Sequence, residues 1–245
     1  MSDKPDKEKD KKSGLTPQAF TSLIDESLFS VIKVIEAIGL GQALRNGTWQ
    51  LGTMAMKEIL KNVFNLKING RENIPSSTAA IICTKNSSGA YPLLAWIAVA
   101  ENGNRILYQA FDIEFFKIPG LKSILNMLDS IEVTDGTISA PAKEHVAKKL
   151  GEKELIGMAL ENVKRLEDSE QIMLNADMIE IAKTSNVPII PVAITNVDDV
   201  FDVKTKKISL NQKISITIHK AYTAHLEGKD SNENLEELKT ILQQA

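Results

Sequence analysis

The sequence predicts an α/β protein with a largely parallel central sheet flanked by helices, preceded by an N-terminal helical hairpin. Three observations predict it. From Asn65 onward, short apolar runs alternate with stretches of helical spacing, the order expected of strands and helices taken in turn. The first of those runs, residues 79–83, is apolar throughout, as a buried strand is. Before Asn65 the apolar residues recur every three or four positions instead, which is a helical period.

Residues 1–13 read MSDKPDKEKDKKS, with five lysines offset by four acids. Such a stretch predicts a solvated, disordered charged tail rather than a polybasic anchor or a leader with an apolar core. Residues 14–64 predict a helical region. Phe20, Leu23, Ile24, Leu28, Val31, Ile35 and Ile38 form one stripe, between a Thr16-Pro17 start and a Gly39 stop. Met56, Ile59, Leu60 and Val63 form a second. Packing on the main domain is expected, with a membrane-facing stripe as the alternative.

Residues 65–245 predict the α/β domain. Expected strands are 79–83, 106–108, 131–133, 171–174, 187–194 and 214–218, the last with clean alternation. Helices are expected from about Pro92, after Pro119, over 142–166, and from after Leu174 to Lys183. The C-terminal helix follows a capping box of Asp230 and Glu233 and carries Leu235, Leu238 and Leu242.

Composition excludes several classes. With 29 Lys+Arg against 32 Asp+Glu and a net charge of −3, bulk positive charge for nucleic-acid binding is absent. Cys83 is the sole cysteine, so neither an intrachain disulfide nor a cysteine-based metal cage can form. No His-x3-His spacing, Walker loop or Gly-x-Ser-x-Gly elbow occurs, so no metal and no cofactor is expected. No run reaches the roughly 18 apolar residues of a membrane span.

Several short motifs occur in a telling order. Residues 64–75 read FNLKINGRENIP, residues 84–96 read TKNSSGAYPLLAW, residues 108–133 hold DIEFFKIPG, and residues 187–194 read VPIIPVAI. Together they resemble the glycerolipid (lysophospholipid) acyltransferase family, of the 1-acylglycerol-3-phosphate acyltransferase kind, over about residues 64–221. That family has a G-x-E-N-x-P opening, a strand ending in His-x4-Asp and an E-x-F-x-x-P segment. A strand ending in Asp-Arg, a Phe-Pro-Glu-Gly loop and a Pro-x-x-Pro-Val strand follow.

The resemblance implies a site, and this chain departs from it. The family's His takes the proton of an acceptor hydroxyl as it attacks an acyl thioester, and the Asp orients that His. Here Asn86 holds the His position and Tyr91 the Asp position. An amide is not a base, and a phenol cannot stand in for a carboxylate. Thr134-Asp135 stands for Asp-Arg, so an acid replaces a phosphate clamp. The Phe-Pro-Glu-Gly loop is expected to be deleted, since Asn175-Ala176 follow Leu174 at once. Glu114, Lys117, Pro188 and Pro191 keep positions that the resemblance assigns to substrate binding, although Glu114 can equally anchor a helix. His145, His219 and His225 are expected to be structural or solvated.

The implied protein keeps the acyltransferase-like fold, is catalytically inactive, and serves as a lipid-binding or structural subunit. The alternative is an active enzyme that moves an acyl chain from acyl-CoA or acyl carrier protein to a lysophospholipid, with Glu114, His145 or His219 as base. The expected partners are a membrane surface or lipid, or a protein in a larger assembly, and not nucleic acid. The expected location is the cytoplasm, with peripheral attachment to the inner face of the membrane left open.

Overall fold

The computed structural model describes residues 66–244, apart from 88–90, 101–104, 118–121, 123–124, 127, 167–168, 197–200, 203–206 and 209–212. The expected tail at 1–13 and helical region at 14–64 lie outside the described residues, as does most of the helix expected after Pro119.

The chain builds one mixed sheet in the order β1-β11-β8-β2-β6-β3-β4-β5, with β7 paired to β6. Its parallel centre is β8 (Ile189–Thr195), β2 (Ala80–Asn86), β6 (Leu155–Leu166), β3 (Leu107–Asp112) and β4 (Ile131–Thr134). The flanking strands are β1 (Lys67–Asn69), β5 (Thr137–Ile138), β7 (Ser169–Leu174) and β11 (Ser215–Ile218). A separate pair, β9 (Phe201–Asp202) and β10 (Lys207–Ile208), is antiparallel.

Helices cover both faces, as parallel strands require. Helix α1 (Tyr91–Ala100) packs on one face, against Ile82, Leu107, Leu155 and Val192. Nearly all of its residues are buried, which suits a helix that is apolar all round. On the other face α3 (Ala140–Gly151), α4 (Ala176–Thr184) and α5 (Ser231–Leu242) share a core with Ile81, Cys83, Ile156 and Met158. Helix α2 (Ile113–Phe116) is a single turn after β3.

One expected element is overturned. Residues 142–166 do not form a continuous helix, because α3 ends at Gly151 and 155–166 is β6, the strand between β2 and β3. Lys153, with φ of 64°, turns the chain between them. Leu155 to Val163 are buried on both faces. A strand covered on both sides has no polar alternation, and a helix can hide in the same run. The expected strand at 171–174 is real, but it is the outer arm of a hairpin on β6.

Two family motifs have structural explanations. Gly70 has φ of 74°, and a Cβ there would lie 2.1 Å from the Ile218 carbonyl oxygen. Asn73 donates from Nδ2 to that same oxygen at 2.8 Å, so the G-x-E-N-x-P opening ties β1 to β11. The Pro188-x-x-Pro191 motif leads into β8, an interior strand that pairs with both β2 and β11. Pro191 accepts from His219 N at 2.9 Å, just past the last paired residues Ile218 and Val192. Its missing N–H therefore falls where the ladder with β11 has ended.

Candidate functional site

Asn86 is the last residue of β2, at the end of the sheet where the parallel strands finish. Its partner in the parallel register is Glu161 of β6, and paired residues point to the same face. Thus Asn86 and Glu161 stand side by side on the α1 face. Glu161 is 8% exposed. Ser87 N donates to the Glu161 carbonyl at 3.1 Å, and Asp112 N donates to the Ser87 carbonyl at 3.4 Å. Three strand ends therefore meet at one point, where Ser87, next to Asn86, ties the backbones of Glu161 and Asp112. Ends of parallel strands are where α/β sheets place ligands.

This geometry corrects the expected loop deletion. The central strand before the Pro-x-x-Pro strand is β6, with β7 only its hairpin arm ahead of α4, so a Phe-Pro-Glu-Gly loop at the end of that strand's pairing with β2 would fall on Ala159-Leu160-Glu161-Asn162. The glutamate is kept, while the aromatic, the proline and the glycine are not. Asn162, at the glycine position, donates from Nδ2 to the Gly136 carbonyl at 2.9 Å. Gly136 and Asp135, with φ of 79° and 50°, form the two-residue turn of the β4–β5 hairpin. That turn demands positive φ at both positions, so Asp135 is a turn residue there. A cleft of about 460 Å³ beside it is lined by Glu132, Thr134, Asp135, Thr137, Ser139 and Ala142.

The E-x-F-x-x-P segment forms an ion-pair cluster next to the strand ends. Asp112, 1% exposed, caps α2 by accepting from Glu114 N at 3.0 Å. The cap is thus Asp112 and not Glu114. Arg165 of β6 places Nη1 2.8 and 3.0 Å from the two Asp112 carboxylate oxygens. Its Nε lies 3.9 Å from Glu114 and 3.6 Å from Glu170. Lys117 binds Glu114 at 2.7 Å. That hydrogen bond, with the charges of Lys117 and Arg165, holds the Glu114 carboxyl below its usual range against a smaller desolvation effect. Arg165 carried no motif signal, and its pairing with Asp112 spans 53 residues of chain.

Tyr91 opens α1 and is 7% exposed within the apolar cluster of that helix. Residues 88–90, between it and Ser87, lie outside the described residues. Pro188 and Pro191 sit lower in the sheet. The Pro188 carbonyl accepts from Ile81 N, and Pro191 pairs with Cys83, three residues before Asn86. At ~3.3 Å per residue that is roughly 10 Å below the strand ends. Burial pushes the Cys83 thiol up, far from thiolate formation.

All three histidines are among the described residues, and none reaches Asn86. His219 bonds through its backbone to Pro191, one strand beyond β2 and roughly 10 Å down the sheet. His225, 1% exposed, has Nε2 2.9 Å from the Val187 carbonyl, just before β8 begins. His145 lies 3.5 Å from Asp129, just before β4 begins. The last two therefore stand at the opposite end of the parallel strands. Among the described residues no cluster of three metal-ligating side chains occurs, and no helix is long and apolar enough to cross a membrane.

Comparison with known proteins agrees with this architecture. A family model described as Acyltransferase matches residues 65–195. No curated protein matches the chain in sequence. Among solved structures, the chain is similar to PlsC, the 1-acyl-sn-glycerophosphate (LPA) acyltransferase of Thermotoga maritima. The TM-score is 0.68 at 17% identity, covering 92% of this chain and 90% of that one. At that identity the likeness shows the fold.

Proposed function

The chain belongs to the acyltransferase family, whose fold it shares with enzymes of phospholipid synthesis, and from that premise we propose that it is a catalytically inactive member. It uses the fold as a lipid-binding or structural subunit. One observation carries the reading: Asn86 occupies the end of β2 where the family's base belongs, and every histidine of the chain lies elsewhere. Loss of a general base costs ~10²–10⁴ in rate by itself. Tyr91, packed among apolar side chains, adds no compensating carboxylate. A fold does not transmit an activity whose site is gone.

The test is acyl transfer by the purified chain from acyl-CoA or acyl carrier protein to lysophosphatidate. No turnover above the uncatalysed background is expected. Turnover of about 1 per second or more, ordinary for an enzyme, overturns the reading. Size-exclusion and pull-down from its native source distinguish the two inert roles, since a structural subunit carries a partner and a lipid-binding one carries lipid.

A second reading has one observation in its favour. Glu161 stands beside Asn86 on the same face, where a carboxylate could take the acceptor's proton while the thiolate leaves. The chain would then be an active glycerolipid acyltransferase, and Glu161→Gln would abolish its turnover. Turnover that survives this change removes Glu161 as the base.

A further inference from the structure

We propose that Asp112 sets the ligand class of this site: by occupying Arg165, it makes the Asn86 end of the sheet accept an uncharged monoacyl lipid and refuse one with an anionic headgroup. The inference rests on the lipid-binding reading above and names its ligand.

An arginine fork is the side chain best shaped to clamp a phosphate. Arg165 reaches the strand ends, but its Nη1 lies 2.8 and 3.0 Å from the two oxygens of Asp112. Asp112 is almost wholly buried, while the Arg165 side chain is 30% exposed. Releasing the arginine to a phosphate would leave a buried carboxylate unpaired, which is strongly unfavourable. Glu114 and Glu170 hold the same guanidinium from its outer side.

The local charge points the same way. Asp112, Glu114 and Glu170 surround Arg165, and Glu114 also holds Lys117. Within this ion-pair cluster three carboxylates meet two cations, a balance that opposes a further anion such as a phosphate monoester. The Thr134-Asp135 position adds another acid where the family has a cation.

The surroundings suit an apolar chain. Leu93, Ile113 and Phe115 are partly buried around Phe111 and Phe116 beside Asp112. Ile172 and Leu174 of β7 are 62% and 36% exposed. Their cross-strand partners are Val163 and Glu161, so they share the face that carries Glu161.

The experiment measures binding of two lipids with the same acyl chain, a monoacylglycerol and a lysophosphatidate, to the full chain by calorimetry below their micelle concentrations. The monoacylglycerol should bind at least about tenfold more tightly, a difference of ~1.4 kcal/mol. Asp112→Asn should narrow that ratio by about tenfold, since it frees the guanidinium. Because Asp112 is buried, the exposed pair Glu114→Gln with Glu170→Gln provides a second probe, and should narrow the ratio by about threefold through charge alone. Equal or tighter binding of lysophosphatidate to the unaltered chain overturns the inference and leaves the lipid-binding reading standing. A ratio unmoved in a folded Asp112→Asn protein also overturns it. Binding of neither lipid removes both.

Discussion

Asn86 and Tyr91 lie five positions apart and meet different environments, and that difference governs what restoring the family residues would do. Asn86 is half-buried at a strand end beside Glu161, and accepts an imidazole without entering the core. Tyr91 is 7% exposed among the side chains that α1 packs on the sheet. An aspartate there would be a charge in an apolar cluster, which costs several kcal/mol unless paired. Tyr91→Asp should therefore destabilise the protein by ~2–4 kcal/mol, read as a lower urea midpoint. Asn86→His should leave the midpoint nearly unchanged. The double variant should show no acyl transfer, because Arg165 stays bound to Asp112. Transfer by that variant above background would show that the site needs nothing from Arg165.

Strand β6 is the element on which the sequence reading and the structure diverge most, and Gly157 shows why. The strands at β2, β3, β4, β8 and β11 were legible as short apolar runs, because each is bounded by turn residues. For β6 the run Leu155-Ile156-Gly157-Met158-Ala159-Leu160 follows a good helix closely, and complete burial removed the alternation that would have separated them. The glycine was the available signal, since glycine inside a strand marks a close approach. A Cβ at Gly157 would lie 2.0 Å from Gln109 Oε1 and 2.6 Å from its Cδ. The side chain of β3 lies directly over the glycine of β6. Gly157→Ala should cost ~1–3 kcal/mol through overpacking, measured by denaturant unfolding, and adding Gln109→Ala should recover part of it. Full additivity of the two changes would exclude the contact as the cause. The same misassigned strand hid the site. Placing 155–166 in a helix left Glu161 and Arg165 without a position, so the glutamate motif was sought at Leu174 instead. Asn86, Tyr91 and Glu114 were legible from motif order. The Asp112–Arg165 pair was not, because only the sheet brings residues 53 positions apart together.

At the scale of the whole molecule, the C-terminal segment locks the face opposite α1, and the lock is sensitive to acid. Tyr222 pairs with Ile189 at the start of β8, and its hydroxyl lies 2.7 Å from Asn234 Oδ1 and 2.8 Å from Glu237 Oε2 of α5, two acceptors that share its one proton. Lys229 binds Glu237 as well. His225 stacks on Tyr222 at 5.9 Å between ring centroids, bonds the Val187 carbonyl through Nε2, and buries an Nδ1 that has no partner among the described residues. Burial lowers its pKa below 6.5, and the nearby Lys183 charge acts in the same direction, against the opposing effect of the Val187 bond. Well above pH 6.5 the histidine is neutral in both folded and unfolded chains and contributes no slope. As pH falls below 6.5 the unfolded chain takes up a proton that folded His225 refuses, so unfolding is favoured until the folded pKa is reached. Melting temperature should therefore fall between pH 7.5 and pH 5.5, before the carboxylates that are depressed in the fold, Glu114 and Glu237, begin to lose their partners. His225→Gln, which keeps a donor for the Val187 carbonyl and does not titrate, should flatten the fall. A slope unchanged by that substitution in thermal melts would place the acid sensitivity in another group. Because α5, α4 and β8 share one core through Leu235, Leu238, Met178 and Ile189, loosening this corner should lower the melting temperature of the whole sheet rather than fray α5 alone.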